Sequence, residues 1–401
     1  MESQASPSVL HKPLLLVSSP LIFLSFALPI YAKALGASAL AIGGLFTVFH
    51  VSLLVLRPLV GAGLDRFGRR IFLLAALTVY GFASLIFAFS VQLEGLYLAR
   101  LVQGVGASLL LITIDTVTAD LTTRESRAAA VGANIEKQVR GGMYGALLGF
   151  TLISALPESS GWRFAFIGYS LLAFVGVGLA LREVPETKPQ ATHHQDWKPW
   201  TEIQLSGQLK RLLPVVFTAG FASSLILPIY LIYLQDKFTV DVSTLGLAFF
   251  PAAIVFMLLP SRLGRISDRF GRSHALALGL LLTGLLYGAF PFLPGLIWLI
   301  VLYTLSAVGG AMAEPARTAL VGDLAQPEER GRVFALVELI TGVGASLGPL
   351  VGGWLYDAAG RNIPFYITGA LLSVSAAWAL LSLDNRSSPS SALEVEQQSP
   401  E

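Results

Sequence analysis

The chain has 401 residues, of which 54% are hydrophobic and only 13% charged, and its formal net charge is +2. A water-soluble protein of this length needs far more charged surface, so most of this chain has lipid as its solvent. It holds no cysteine, which removes disulfide frameworks, thiolate metal sites and cysteine nucleophiles together, and no G-x-x-x-x-G-K-[ST] loop to serve an ATP-driven machine.

Residues 1–13 form a short polar lead, and no small-residue cleavage site follows the first apolar run. The run at 14–32 therefore reads as a retained membrane helix and not a signal peptide. Further runs long enough to cross about 30 Å of hydrocarbon follow at 39–60, 71–90, 95–118, 128–154 and 163–181. After a polar gap they resume at 213–234, 243–260, 273–293, 296–319, 333–355 and 363–383. The predicted fold class is an all-α membrane protein with twelve transmembrane helices in two six-helix repeats. A lead (1–13), an N-terminal bundle (14–182), a linker (183–211), a C-terminal bundle (212–383) and a disordered tail (384–401), rich in Ser, Pro, Gln and Glu, make up the expected domains.

Lysine and arginine set the orientation, because cytoplasmic loops retain them. With the N-terminus inside, eighteen fall on inner loops and helix ends, while the outer connections hold four: Lys33, Arg163, Lys237 and Arg361. Both termini are expected in the cytoplasm, in the plasma (inner) membrane. In the linker, His193-His194 offers two adjacent ligands without partners, which reads as solvated chain and not a metal site. Trp197 and Trp200 favour the headgroup layer.

The two bundles are one unit written twice. Gly61-Ala62-Gly63-Leu64-Asp65-Arg66-Phe67-Gly68-Arg69 returns 203 residues later (61 to 264) as Gly264-Arg265-Ile266-Ser267-Asp268-Arg269-Phe270-Gly271-Arg272. The same offset carries Asp120 to Asp323, Glu125 to Glu328, Arg127 to Arg330, and Gly141, Gly145 and Gly149 to Gly344, Gly348 and Gly352. Near the start of each half, Pro29-Ile30-Tyr31 matches Pro228-Ile229-Tyr230. A turn this short holds several charges near lipid only if they have partners. Asp65 and Asp268 sit where the following helix dipole favours a carboxylate, and the acidic loops after spans four and ten offer complementary groups. These clusters are expected to form an inner latch, closed when the cavity faces outward and broken when it opens inward. The competing reading makes the arginines purely topogenic.

An ionisable side chain deep in a span is costly without water or a partner, so each is a functional candidate. Span five carries Glu136, Lys137 and Arg140. Glu136 and Arg140 lie about 12 and 18 Å along it at 1.5 Å per residue and share a face. They read as a substrate or proton site, or as a structural pair; Lys137, about 100° round the helix, is placed to partner a different helix. Arg100 on span four is a coupling candidate or a side chain snorkelling outward. Asp115, Glu314 and Arg317 lie near inner ends, the last two spaced for a local ion pair, with Glu338 part of the same gate. His50 suits proton transfer or ordinary packing, and Arg57 is placed to snorkel. Tyr31 and Tyr230 read equally as an outer gate or as interfacial tyrosines. The glycines of spans five and eleven, with Pro349, form small-residue faces on which helices slide or bend.

The G-x-x-x-D-R-x-G-R-R turn, its copy, the two six-helix halves and the long linker resemble the major facilitator superfamily, over essentially the whole of 14–383. Arg100-Leu101-Val102-Gln103-Gly104-Val105-Gly106 resembles the R-x-x-Q-G-x-G motif of the proton-coupled drug exporters, which implies a coupling role for Arg100. The antiporter signature G-x-x-x-G-P-x-x-G-G is incomplete at Gly141–Phe150 and complete at Gly344–Gly353. The expectation is a monomeric alternating-access transporter, with protons and a small amphipathic molecule as partners, no nucleic acid and no cofactor. The alternatives are a proton symporter for an organic anion held by Arg100 and Arg140, and a solute receptor that moves nothing.

Overall fold

A computed structural model describes residues 6–187, 205–238, 251–252, 254–256, 258–326 and 329–383. Hydrocarbon offers no partner to a free peptide group, so a chain crossing it must bond its own backbone. Among the described residues the regular structure is entirely helical. The helices are α1 (His11–Val17), α2 (Pro20–Ala34), α3 (Ala39–Phe67), α4 (Arg69–Phe89), α5 (Leu93–Asp120), α6 (Arg124–Ala155) and α7 (Glu158–Glu183). The second half supplies α8 (Gly207–Phe238), α9 (Pro260–Phe270), α10 (Arg272–Ala289), α11 (Leu296–Leu324), α12 (Arg330–Ala359) and α13 (Ile363–Ser382).

Ten spans among the described residues are long and apolar enough to cross a bilayer. α6 is long enough as well, at 32 residues, but Glu136, Lys137 and Arg140 interrupt its apolar run. The eighth expected span, 243–260, falls largely outside the described residues, as do the linker histidines and tryptophans and the tail. The first span is one helix in the sequence reading and two in the structure. Pro20 has no N–H to donate, and the chain turns at Ser18-Ser19, where the Ser19 hydroxyl bonds the Leu16 carbonyl at 2.8 Å.

The two copied turns have the same geometry. Gly68 ends α3 at φ 97° and Gly271 ends α9 at φ 96°, a left-handed conformation that any Cβ would strain. Both lie at one end of the bundle, called here the turn end. α3 and α12 run antiparallel along the seam between the halves, with Gly43 against the Pro349 carbonyl and Leu54 against Gly342. The start of α12 therefore sits at the finish of α3.

Glycine faces bring the helices this close. Gly141 and Gly145 of α6 rest on the carbonyls of Leu15 and Ser19, at the break in the first span. Gly344, Gly348 and Gly352 of α12 rest in the same way on Phe217, Phe221 and Leu225 of α8. At the far end each half lends an isoleucine to the other. Ile30 of α2 packs among Leu225, Tyr230 and Phe365, and Ile232 of α8 packs among Phe23, Tyr31 and Trp162. Large apolar side chains on the outer faces, such as Leu147 and Leu381, are exposed to the lipid that solvates them.

Gly145→Val should lower stability in detergent by about 2 kcal/mol, because the added methyls meet backbone and not a movable side chain. Gly61→Ala, where a Cβ meets nothing within 4 Å, should leave the melting temperature unchanged or raise it.

Candidate functional site

The turn end is built from arginines drawn back into their own half. Arg69 is 6% exposed. Its Nε donates to the Asp120 carboxylate at 3.1 Å and its Nη1 to the Leu64 carbonyl at 3.0 Å. The repeat mate Arg272 forms an ion pair with Asp323 and donates to the Ala319 carbonyl at 3.0 Å. The offset that pairs these residues in sequence thus pairs them in space, once per half. Arg127 donates to the Ala119 carbonyl at the finish of α5, a cation on a helix C-terminus. Arg66 lies over the Phe67 ring at 5.2 Å. Arg330 opens α12, and Gly61 and Gly264 lie on the last turns of α3 and α9. The side chains of Asp65, Glu125, Asp268 and Arg269, and all of Glu328, lie outside what the structure describes.

One partner of this turn was not read from the sequence. Glu186, at the start of the linker, places its carboxylate on the first turn of α4 and accepts from the Arg69 and Arg70 N–H groups at 2.8 and 3.2 Å. It lies against Gly68, where a Cβ would intrude. Thr187 then donates to the same Asp120 oxygen that binds Arg69, at 3.1 Å. The linker thus begins as a strap across the turn. Glu186 is far from the turn in sequence, and only its proximity to a helix end would have marked it.

Deeper charges form two groups. In the C-terminal half, Arg317 of α11 binds Glu314 at 2.5 Å and reaches Glu338 of α12 at 3.1 Å. The guanidinium is mostly covered while both carboxylates stay more than half exposed. The expected local pair is present and extends to the next helix. In the N-terminal half, Arg140 binds Glu136 at 2.6 Å, with Lys137 at 4.0 Å from the same carboxylate. Both side chains of this pair are about half exposed. Asp115 is exposed on α5, within electrostatic reach of Arg57 on α3.

Arg100 does not snorkel. It is 5% exposed, with Nε on the Leu45 carbonyl at 3.3 Å and Nη1 on the Gln103 side-chain oxygen at 2.8 Å. Its guanidinium lies 4.5 and 4.8 Å from the Phe46 and Phe49 ring centres. α3 approaches close enough to receive it because Gly104 leaves room for the Phe49 carbonyl and Ser52. These neighbours delocalise the charge without cancelling it. His50, the next residue on α3, bonds the Phe46 carbonyl of its own helix at 2.8 Å. Tyr31 and Tyr230 are both buried near the far end. Tyr31 stacks on Trp162 at 4.1 Å and donates to the Ser90 carbonyl, and Tyr230 stacks on Tyr303 at 4.5 Å; each also packs against the isoleucine that the other half lends.

Two duplicated helical bundles with repeat-related charged turns define a multi-pass membrane transporter. A profile of the Major Facilitator Superfamily matches residues 15–213 and again 212–400, so each half matches separately. The chain belongs to the major facilitator superfamily. It is 24% identical over 353 residues to multidrug resistance protein 1 of Bacillus subtilis, covering 87% of this chain and 89% of that one. It is 43% identical over 98 residues to multidrug resistance protein MdtH of Photorhabdus laumondii, about a quarter of each chain. Among solved structures, a bacterial homolog of the human lysosomal transporter Spinster, inward-facing and occupied, superposes with a TM-score of 0.73 at 16% identity, covering 94% of this chain and 95% of that one. The nucleoside transporter NupG gives 0.74 at 14%, covering 94% and 100%. At these identities the structures speak for the fold alone.

Asp120→Asn removes the countercharge of a covered guanidinium and should cost about 3 kcal/mol. The double variant Arg69→Met/Asp120→Leu should lose less than the two single changes summed, as read from melting temperatures in a double-mutant cycle.

Proposed function

We propose that this transporter works by alternating access, exporting small amphipathic compounds across the plasma (inner) membrane against inward-moving protons, with both termini in the cytoplasm. The observation that carries export is the relatedness to a multidrug resistance protein along nearly the whole chain. Arg100 supports proton coupling, since a buried cation held by neutral groups is sensitive to charge arriving nearby. The contrast between the ends supports alternating access. Toward the far end hydrogen bonds cross the seam (Thr47 to the Ser346 carbonyl at 2.7 Å), while the ion pairs of the turn end, Arg69–Asp120 and Arg272–Asp323, stay within a half. In this reading the structure faces the turn side, and the latch of Asp65, Asp268 and their neighbours closes when that side shuts.

The organic-anion symporter is the weaker reading, because Arg140 is already neutralised by Glu136 and leaves Arg100 alone to hold the anion. A receptor that moves nothing would leave the duplicated charged turns without a task.

In proteoliposomes with an imposed pH gradient, ethidium should move against the proton flux and stop when a protonophore is added. Movement that ignores the protonophore would remove the antiport reading, and no flux of ethidium or other amphipathic cations would favour the receptor. Arg100→Ala should cut the gradient-driven rate by about tenfold or more, with partial recovery in Arg100→Lys. Asp65→Asn should slow turnover while insertion and melting stay unchanged; unaltered kinetics would rule the latch out.

A further inference from the structure

Four side chains at the far end join the halves in a way that the repeat does not foreshadow. Asp357, near the finish of α12, accepts from the Ala39 and Leu40 N–H groups at 3.2 and 2.8 Å. These are two of the donors that an α-helix leaves unbonded at its start. The third, Ala41 N–H, goes to α3's own cap, Ser38, at 3.2 Å. One helix start is thus capped partly by its own chain and partly by a carboxylate from the opposite half. Beside it, Asp236 of α8 is bound through both oxygens. One takes the ammonium of Lys33 on α2, across the seam, and the other takes the Tyr356 hydroxyl at 2.6 Å.

We propose that Asp357 and the Lys33–Asp236–Tyr356 group act as a two-point bolt that holds the far end shut and sets how often it opens. The inference rests on the alternating-access reading and names the bonds that must break for the far side to open. Both points are suited to repeated breaking. Lys33 and Asp236 keep about a third of their side-chain surface exposed, so water replaces each partner as the pair parts, and such pairs bias an equilibrium without locking it. When Asp357 withdraws, the Ala39 and Leu40 donors face water, while Ser38 keeps α3 from unwinding. Tyr356 and Asp357 are consecutive, so a small shift of the end of α12 loosens both points together.

The chain has no cysteine, so a single Ser346→Cys reports without background. Ser346 is 3% exposed, and its carbonyl receives Thr47 across the seam. In lipid, a membrane-impermeant maleimide added on the far side should label Ser346→Cys slowly, and faster once ethidium and a pH gradient are supplied. Asp357→Ala should raise the resting rate about fivefold, the worth of a lost helix cap. Asp357→Asn, which keeps an acceptor oxygen, should raise it less. Lys33→Asp should raise it too, and Lys33→Asp/Asp236→Lys should return it toward the starting value, which a merely misfolded variant would not do. If ethidium alters labelling of the parent while Asp357→Ala and Lys33→Asp do not, the bolt is wrong and alternating access stands. If the parent never responds to ethidium or gradient, alternating access fails and takes the bolt with it.

Discussion

Everything in this molecule follows from the rule that a backbone polar group in hydrocarbon must be bonded within the protein. Helices satisfy the rule along their length, and only their ends remain exposed to it. The groups that hold the structure in shape therefore cluster at helix ends. Glu186 covers the start of α4, Asp357 covers the start of α3, Arg127 covers the Ala119 carbonyl at the finish of α5, and Lys237 binds the Pro291 and Leu293 carbonyls just beyond α10. Each is a charge on a helix terminus, the place where a charge is both needed and tolerated. Side-chain charge and backbone satisfaction are one problem here, solved together.

The same rule separates the two ends. At the turn end the ion pairs Arg69–Asp120 and Arg272–Asp323 each lie within one half. At the far end Asp357 and Lys33 reach across, so the bundles share bonds. In between, the seam is made by glycine against carbonyl and by the Thr47–Ser346 hydrogen bond, contacts that are close but carry no charge. A pair of bundles joined at one end by breakable polar bonds, and along the middle by uncharged contact, is able to rock. A continuous charged interface would not allow it.

The spans, the duplication and the pairing of Asp120 and Asp323 with arginines of the turns were legible because each leaves a trace in one dimension: a run of apolar residues, an offset, a repeated charge. The fate of Arg100 was not. Whether a long cation snorkels or turns inward depends on what stands opposite, and the Leu45 carbonyl and the Phe46 and Phe49 rings come from another helix. The ring partners of Tyr31 and Tyr230 were hidden for the same reason, since Trp162 and Tyr303 come from other helices. Lys33 and Asp236 were visible as opposite charges near the finish of spans one and seven. Their pairing depends on how the bundles are rotated, and no periodicity records that angle.

The incomplete signature on α6 gains a physical meaning from the seam. The residues that α12 has and α6 lacks at the matching places are Pro349 and Gly353. In the structure these are two of the points where α12 meets α3 of the other half: the Pro349 carbonyl lies over Gly43, and Gly353 lies on Ala39. The glycines common to both helices do a different job, seating α6 on the broken first span and α12 on α8. The shared part of the pattern thus builds each bundle, and the extra part builds the joint between bundles at the far end. On α6 the corresponding place holds Ala146 and Phe150, and Phe150 packs edge-on against Phe23 of its own half at 5.3 Å. The two copies of the bundle differ at these few positions, and the difference makes α12 the carrier of the seam.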